Sequence, residues 1–308
     1  MTWFGAAALG LLIAAASQAA EFRTGQPVMG TILQVTVIAD DAATAQRAAE
    51  ASLTEARRWD DVLTTWRPEG ELAQLNETAG SGDVLVGTAL HGALAQMLVL
   101  ADHTEGAFDP GVGPLVTAWQ TGGGHLLPSG PTRIRSSLKL AARTAILAKG
   151  ARLDAGAVGK GMALDAIADL LGGRGVRAAF LDFGGSSHLA IGAPPDSPRG
   201  WIVAVAGLES GVVHGTIALR DGSLSTSRTR PPTATDGPVI DPRNGRPVAQ
   251  PRAVTVWHPR ATDADAWSTA LVVLGRDGIE PARRAGVEVF LEDPDGIEKT
   301  EGFPLAPL

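Results

Sequence analysis

The stretch DAGAVGKGMALD, residues 154–165, changes character at its middle. Its first half is a small-residue turn flanked by Asp154 and Lys160, and its second half reads as the opening of a helix over 159–172. Gly156, Gly159 and Gly161 permit close backbone approach and leave amides available to an anion. Lys160 would meet a phosphate there as a point charge. A plain strand-to-helix turn with a surface lysine has the same appearance, so a second signal has to join this one. It is not a P-loop, because GxxxxGK[ST] needs Ser or Thr where Gly161 stands.

Downstream, strands are expected at 178–182, ending at Gly184-Gly185, and at 201–206, 214–220, 252–257 and 287–291. A long loop rich in Pro, Arg and Asp is expected over 222–251. Upstream, TILQVTVI over 31–38 reads as a strand, with Leu33, Val35 and Val37 forming an apolar face opposite a mixed one. Asp40 and Asp41 open an Ala-rich helix running to about Trp66, and a second helix is expected over 88–103. Residues 104–135 read as a long irregular segment, which inside a compact domain points to function. Strands and helices of this kind, with many turns, indicate an α+β fold.

The second signal is DADAWSTALVVL, residues 263–274. It reads as a helix with Thr262 as N-cap and with Asp263 and Asp265 in its first turn, where the helix dipole favours negative charge. Asp265, Ser268 and Thr269 stand at i, i+3 and i+4 and so share a face. A carboxylate and a hydroxyl on one face are hard oxygen ligands of the kind Mg²⁺ takes.

Composition narrows the partners. In 308 residues, 44% are hydrophobic and 19% charged, enough to bury a sizeable core. The net charge of −7 excludes nucleic acid as an expected partner, because phosphate-backbone binding needs a basic face. No polybasic run suggests direct membrane attachment. Residues 3–20 read as the apolar core of a secretion signal, with Ser17 and Ala19 framing cleavage before Ala20 or one residue later; a retained anchor helix or a buried helix is the alternative. With no cysteine, lipid attachment through Cys, disulfides and thiolate metal sites are all excluded. The division expected is a signal peptide over 1–20 and one domain over 21–308, exported to the periplasm or otherwise out of the cytoplasm.

DAGAVGKGMALD resembles the signature of the FAD:protein FMN transferase (ApbE) family. Further matches follow in the family's order: Met29-Gly30-Thr31, GELAQLN at 70–76, GAFDPGVGPLVTAW at 106–119, DFGG at 182–185, STS at 225–227, IDPRNGRPV at 240–248 and DADAWSTAL at 263–271. The resemblance implies an α+β fold of mixed sheets with packed helices and an FAD site in a central cleft. It implies that Met29, Ala107, Phe108, Asp109, Asp154, Lys160 and the backbone at Val239 line the FAD site, with Trp66 stacking on flavin where the family has Tyr. It further implies Mg²⁺ held by the Ala157 carbonyl, the Asp265 carboxylate and Thr269 Oγ1, the carbonyl of Ser268 being a further candidate. The implied reaction moves FMN from FAD to a Ser or Thr hydroxyl of an exported acceptor protein, and AMP leaves. The membrane is met only through that partner.

The match fails where the family has a catalytic His followed by two aliphatics and Asp-Pro. Here the segment reads Pro238-Val239-Ile240-Asp241-Pro242, and proline cannot act as a general base. The family's Thr-Ser-Gly is Thr226-Ser227-Arg228, and Ser186 replaces an acidic or amide residue after Gly-Gly. His188 and His258, nearest to the matched segments, read as structural or surface residues, and Asp241 reads as a loop cap. No catalytic residue is assigned. Two alternatives to transfer stay open: a protein that binds FAD without transferring it, and an Mg²⁺-dependent FAD pyrophosphatase.

Overall fold

A computed structural model describes residues 19–120, 133–229 and 239–307. The amino-terminal third runs β1 (Ala20–Val28), β2 (Thr31–Ala39), α1 (Ala42–Leu63), α2 (Glu71–Glu77), β3 (Val84–Leu85), α3 (Thr88–His103) and, after a 3-10 turn at Pro110–Val112, α4 (Gly113–Gln120). The middle contains α5 (Ile134–Ser137), β4 (Leu138–Leu140), β5 (Thr144–Leu147), α6 (Gly159–Leu171), β6 (Val176–Phe183), β7 (Ser187–Ile191), β8 (Trp201–Ala206) and β9 (Val213–Leu219). The remainder is β10 (Gly222–Arg228), β11 (Ile240–Asp241), β12 (Arg246–Pro247), β13 (Ala253–His258), α7 (Ala261–Leu274), α8 (Ile279–Arg284), β14 (Glu288–Asp293) and β15 (Gly296–Lys299).

Eight strands form the main sheet in the order β1-β2-β6-β7-β10-β13-β14-β15. Its pairings are all antiparallel. β2 carries the expected alternation, with Leu33, Val35 and Val37 at most 1% exposed. Each such side chain contributes about 1.5–3 kcal/mol by leaving water. These residues pack with Ala45, Ala49, Leu53 and Ala56 of α1, which recur at helical spacing. The β8–β9 pair covers the opposite face, packing Val203, Val205, Ile217 and Leu219 against Leu224 and Phe290. The expected combination of helices and sheets is therefore present.

Several boundaries differ from the sequence reading. α1 ends at Leu63 because Thr64 is extended, so Trp66 lies beyond the helix rather than at its end. The segment expected to be irregular over 104–135 contains the 3-10 turn, α4 and the start of α5; residues 121–132 lie outside the described residues. The expected loop 222–251 begins with β10, a central strand, and contains β11 and β12. β10 was hidden because its sequence GSLSTSR is polar, although Ser223 and Ser225 are buried.

α7 starts at Ala261, so Thr262 is inside the helix rather than its N-cap, and Asp263 alone is acidic in its first turn. The cap comes from α6. Asp165 accepts from the amides of Ala261 at 2.8 Å and Thr262 at 3.0 Å, and from Thr262 Oγ1 at 2.6 Å. Burial pushes the Asp165 carboxyl up, against these hydrogen bonds. The helices approach closely at Gly161, where a Cβ would lie 2.3 Å from the Ala261 carbonyl oxygen. Only glycine permits that contact.

Candidate active site

A cavity of about 720 Å³ opens where α6, α7, the end of β10 and the 107–112 segment meet. Each wall follows from local chemistry. Asn76, 5% exposed at the end of GELAQLN, accepts the Leu153 amide at 2.7 Å and donates to the Leu153 carbonyl at 2.9 Å. This clamp fixes the chain entering the 154–158 turn. Asp154 then donates its amide to the Pro110 carbonyl at 2.8 Å and accepts the Gly156 amide at 2.8 Å. Burial pushes the Asp154 carboxyl up, with the Gly156 amide opposing. Lys160 follows as the second residue of α6 and lines the cavity.

Asp265 occupies the opposite side of this wall, 3% exposed. Its Oδ2 accepts from the Gly161 amide at 2.8 Å. Its Oδ1 accepts from Ser187 Oγ at 2.7 Å and Ser225 Oγ at 2.6 Å. Ser268 Oγ donates to the Asp265 carbonyl at 2.9 Å and stands 2.8 Å from Ser227 Oγ, which is 3.3 Å from Thr269 Oγ1. A carboxylate offers about four lone-pair sites, and three are used here. Oδ2 retains one.

The 107–112 wall is equally determined. Phe108 is buried, and its amide donates to Thr104 Oγ1 at 3.2 Å. Asp109 accepts the amides of Gly111 at 2.8 Å and Ile134 at 2.9 Å. Burial raises its carboxyl, against those two amides and the charge of Arg133.

Of the residues expected at the FAD site, Trp66, Ala107, Phe108, Asp109, Asp154, Lys160 and Val239 line this one cavity. Met29 does not line it. Met29 sits in the β1–β2 turn at φ 50, packed beside the first turn of α6. Of the expected metal ligands, Ala157, Asp265 and Thr269 line the cavity, whereas Ser268 is wholly buried behind them. Among the described residues no three acidic or imidazole side chains converge. A cation here would have one carboxylate, with its remaining protein ligands neutral oxygens.

Pro238 lies outside the described residues, but Val239 and Ile240 line the cavity. Asp241 caps their loop as expected, accepting from the Arg243 amide and Nε, each at 2.9 Å, and from Asn244 Nδ2 at 3.0 Å. Burial opposes its charge, but Arg243 outweighs that and holds the carboxyl below its ordinary value. Among the described residues no histidine lines the cavity. His188 is buried and stacked on Phe180 at 5.8 Å, and burial pushes its imidazole down despite Asp182. His258 bonds the Arg260 backbone. The sequence reading missed Ser187, Ser225, Asn76 and Asp165; three of these stand in or beside motifs it had matched, and Ser187 follows Ser186 directly.

The ApbE family model matches residues 29–291. An FAD:protein FMN transferase of Treponema pallidum is 32% identical over 289 aligned positions, covering 83% of this chain and 79% of its own. One from Salmonella typhimurium is 29% identical over 312 positions, covering 94% and 87%. The flavin transferase ApbE of Vibrio cholerae shares the fold with a TM-score of 0.78 at 24% identity, over 92% of this chain and 97% of its own. The ApbE protein of Thermotoga maritima shares it at 0.80 and 23%, over 93% and 98%. A family match over so much of the chain, on a fold whose cavity gathers the motif residues, places this chain in the ApbE family.

Proposed function

We propose that this chain transfers FMN from FAD to a Ser or Thr hydroxyl of an exported protein. The observation that carries this reading is the convergence of Asp154, Lys160, Asp265 and Thr269 on one cavity in a family whose relatives are named FAD:protein FMN transferases. In the reaction, the acceptor oxygen forms a bond to the FMN-side phosphorus while the bond from that phosphorus to the bridging oxygen breaks. The electron pair leaves with AMP, and the acceptor proton passes to water or to the departing phosphate. Positioning and charge neutralisation supply most of the catalysis in such transfers.

The donor set fits Mg²⁺: Asp265 Oδ2 keeps a lone pair, and Thr269 Oγ1 and Ala157 line the same cavity. These three residues would hold the ion, which supplies charge neutralisation for the diphosphate. The chain's own residues do the rest. Lys160, at the amino end of α6, adds a positive charge beside the helix dipole. Trp66, 73% exposed at the rim, offers a ring for the flavin to stack on. Export rests on the apolar run over 3–20; cleavage before Ala20 leaves β1 whole.

A second reading, retention of FAD without transfer, is favoured by Pro238, which offers no proton acceptor where the resemblance implies a catalytic histidine. Incubation with FAD, Mg²⁺ and a candidate acceptor separates the readings. Transfer yields AMP and covalent flavin on the acceptor; hydrolysis yields AMP and free FMN; retention yields neither. Absence of AMP release under all conditions would overturn the transferase assignment.

A further inference from the structure

The cavity does not end at the wall that carries Asp265. It continues past the end of β10, along the turn at Gly185 and Ser186, to Ala204 and Ala206 of β8. In β10, Ser225 and Ser227 reach α7 through their hydroxyls. By strand alternation Thr226 and Arg228 stand on the opposite face, and Thr226 Oγ1 indeed lies 2.9 Å from Thr255 Oγ1 of β13. Arg228 therefore serves a different part of the cavity from Asp265, Thr269 and Lys160.

Two features of Arg228 point to a ligand. The first is charge. None of the cavity's carboxylates pairs with Arg228: Asp109 accepts two amides, Asp154 the Gly156 amide, and Asp265 one amide and two hydroxyls. Among the described residues the Arg228 guanidinium has no carboxylate or carbonyl partner. Arginine's planar fork suits carboxylate geometry and carries its charge at every physiological pH.

The second feature is the strand edge. The Thr226 amide donates to the Ser186 carbonyl at 2.7 Å on the β7 side, and the Thr229 amide donates to the Arg252 carbonyl at 3.0 Å on the β13 side. Antiparallel ladders alternate, so the N–H and C=O of Arg228 point to the β7 side. β7 starts only at Ser187, and its pairing with β10 ends at Ser225. The chain leaves that edge through Gly184 and Gly185, both at positive φ. Among the described residues nothing pairs with the Arg228 backbone on that side, and an extended segment can continue the ladder there, beside small residues that leave it room.

We propose that this edge is where the acceptor polypeptide docks, extended along β10 beyond Thr226, with an acidic side chain paired to Arg228. The inference rests on the transferase reading for the acceptor's identity as substrate, but its binding test does not. The Arg228 side chain leaves β10 on the face opposite to Ser225 and Ser227, which meet the Asp265 wall, so its pairing is separable from the contacts of that wall.

The test uses the full chain with FAD and Mg²⁺ and fluorescein-labelled synthetic peptides. Each peptide contains one Thr and a single Asp moved through the positions around it, alongside the same series with Asn. Binding is read by anisotropy, transfer by covalent flavin, and FAD affinity by flavin fluorescence. The unmodified protein is expected to prefer one Asp peptide over its Asn twin by about tenfold, as a desolvated charge pair allows. That preference should fade in about 0.5 M salt. Arg228→Gln should abolish it, and Arg228→Glu should reverse it toward the Lys version of that peptide. FAD affinity should stay within about twofold in both variants, since uncoupled sites behave independently. Equal binding of Asp and Asn peptides by the unmodified protein overturns the proposal. So does a large loss of FAD affinity in Arg228→Gln with peptide discrimination retained, which would make Arg228 an FAD contact. Peptide discrimination without covalent flavin on any peptide leaves the docking edge standing and overturns the transferase reading alone.

Discussion

The two sides of the cavity are built on different principles. On the α6–α7 side, position is set by buried polar groups that satisfy one another: Asp165 caps α7, Gly161 brings the helices together, and Asp265 gathers an amide and two hydroxyls. On the side of Val239 and Ile240, a short β11–β12 ladder is held chiefly by one carboxylate, Asp241, and its Arg243 partner. The first side holds Asp265 and Thr269, the side chains expected as oxygen donors. The second follows Pro238 in the sequence, where the resemblance leads one to expect histidine. Where several buried donors share one carboxylate, a change at any of them is felt by the rest, whereas the ladder at Val239 rests on backbone bonds and one capping carboxylate.

The largest expected effect tests the altered side. Pro238→His should raise transfer, measured as AMP release and covalent flavin, by about 10²- to 10⁴-fold, the range general base catalysis supplies. Pro238→Ala separates the base from loop loosening, because it frees φ without adding an acceptor. Strong transfer by the unmodified protein, unchanged in both variants, would show that the histidine is dispensable here.

Next in size is the loss of Asp265. Asp265→Ala should lower Mg²⁺-dependent FAD affinity by about 100-fold, the upper end of what even outer partners of a metal ligand cost. Ser268→Ala keeps its backbone carbonyl and should leave that affinity nearly unchanged, while lowering stability by about 1 kcal/mol through lost hydroxyl bonds. Calorimetric titration with and without EDTA reads the first quantity. Equal losses in the two variants would break the assignment of the α7 face.

A smaller effect concerns the cap. Asp165→Ala should cost about 2 kcal/mol in chemical denaturation, since it removes the N-cap of a buried helix. FAD affinity should fall with it, because α7 positions Asp265. A variant with intact stability would show that the α6–α7 contact does not depend on the cap.

The smallest effect concerns Asp241 and pH. Its folded-state carboxyl sits below the ordinary 3.8, so its contribution is complete above that value and is lost as pH falls through the lowered one. Asp241→Asn should therefore lower stability by about 1 kcal/mol at neutral pH, equally at pH near 5, with the gap closing only in stronger acid. A gap that closes between pH 7 and 5 would refute the sign of the shift.

These contrasts also explain what could be read from residues alone. α3 and β8 coincide with their expected spans, because apolar periodicity is a local property. β10 escaped because Ser223 and Ser225 look like loop residues until something buries and satisfies them. α2 was seen only as the motif GELAQLN, since Asn76 gains its meaning from Leu153, 77 residues away.

By itself, the sequence determined the alternation of β2, the helical spacing of Asp265 with Thr269, the exclusion of thiolate chemistry and the order of motifs that identifies the family. Each follows from neighbours within a turn, a short strand or a single composition. The tertiary structure decided that Asp165 caps another helix, that Gly161 must be glycine, that Ser268 lies behind the cavity rather than on it, and that among the described residues the pairing of β10 with β7 stops short of Arg228. Those facts depend on which donors face which acceptors across long stretches of chain. Hydrogen-bond satisfaction of buried groups is a property of the assembled fold.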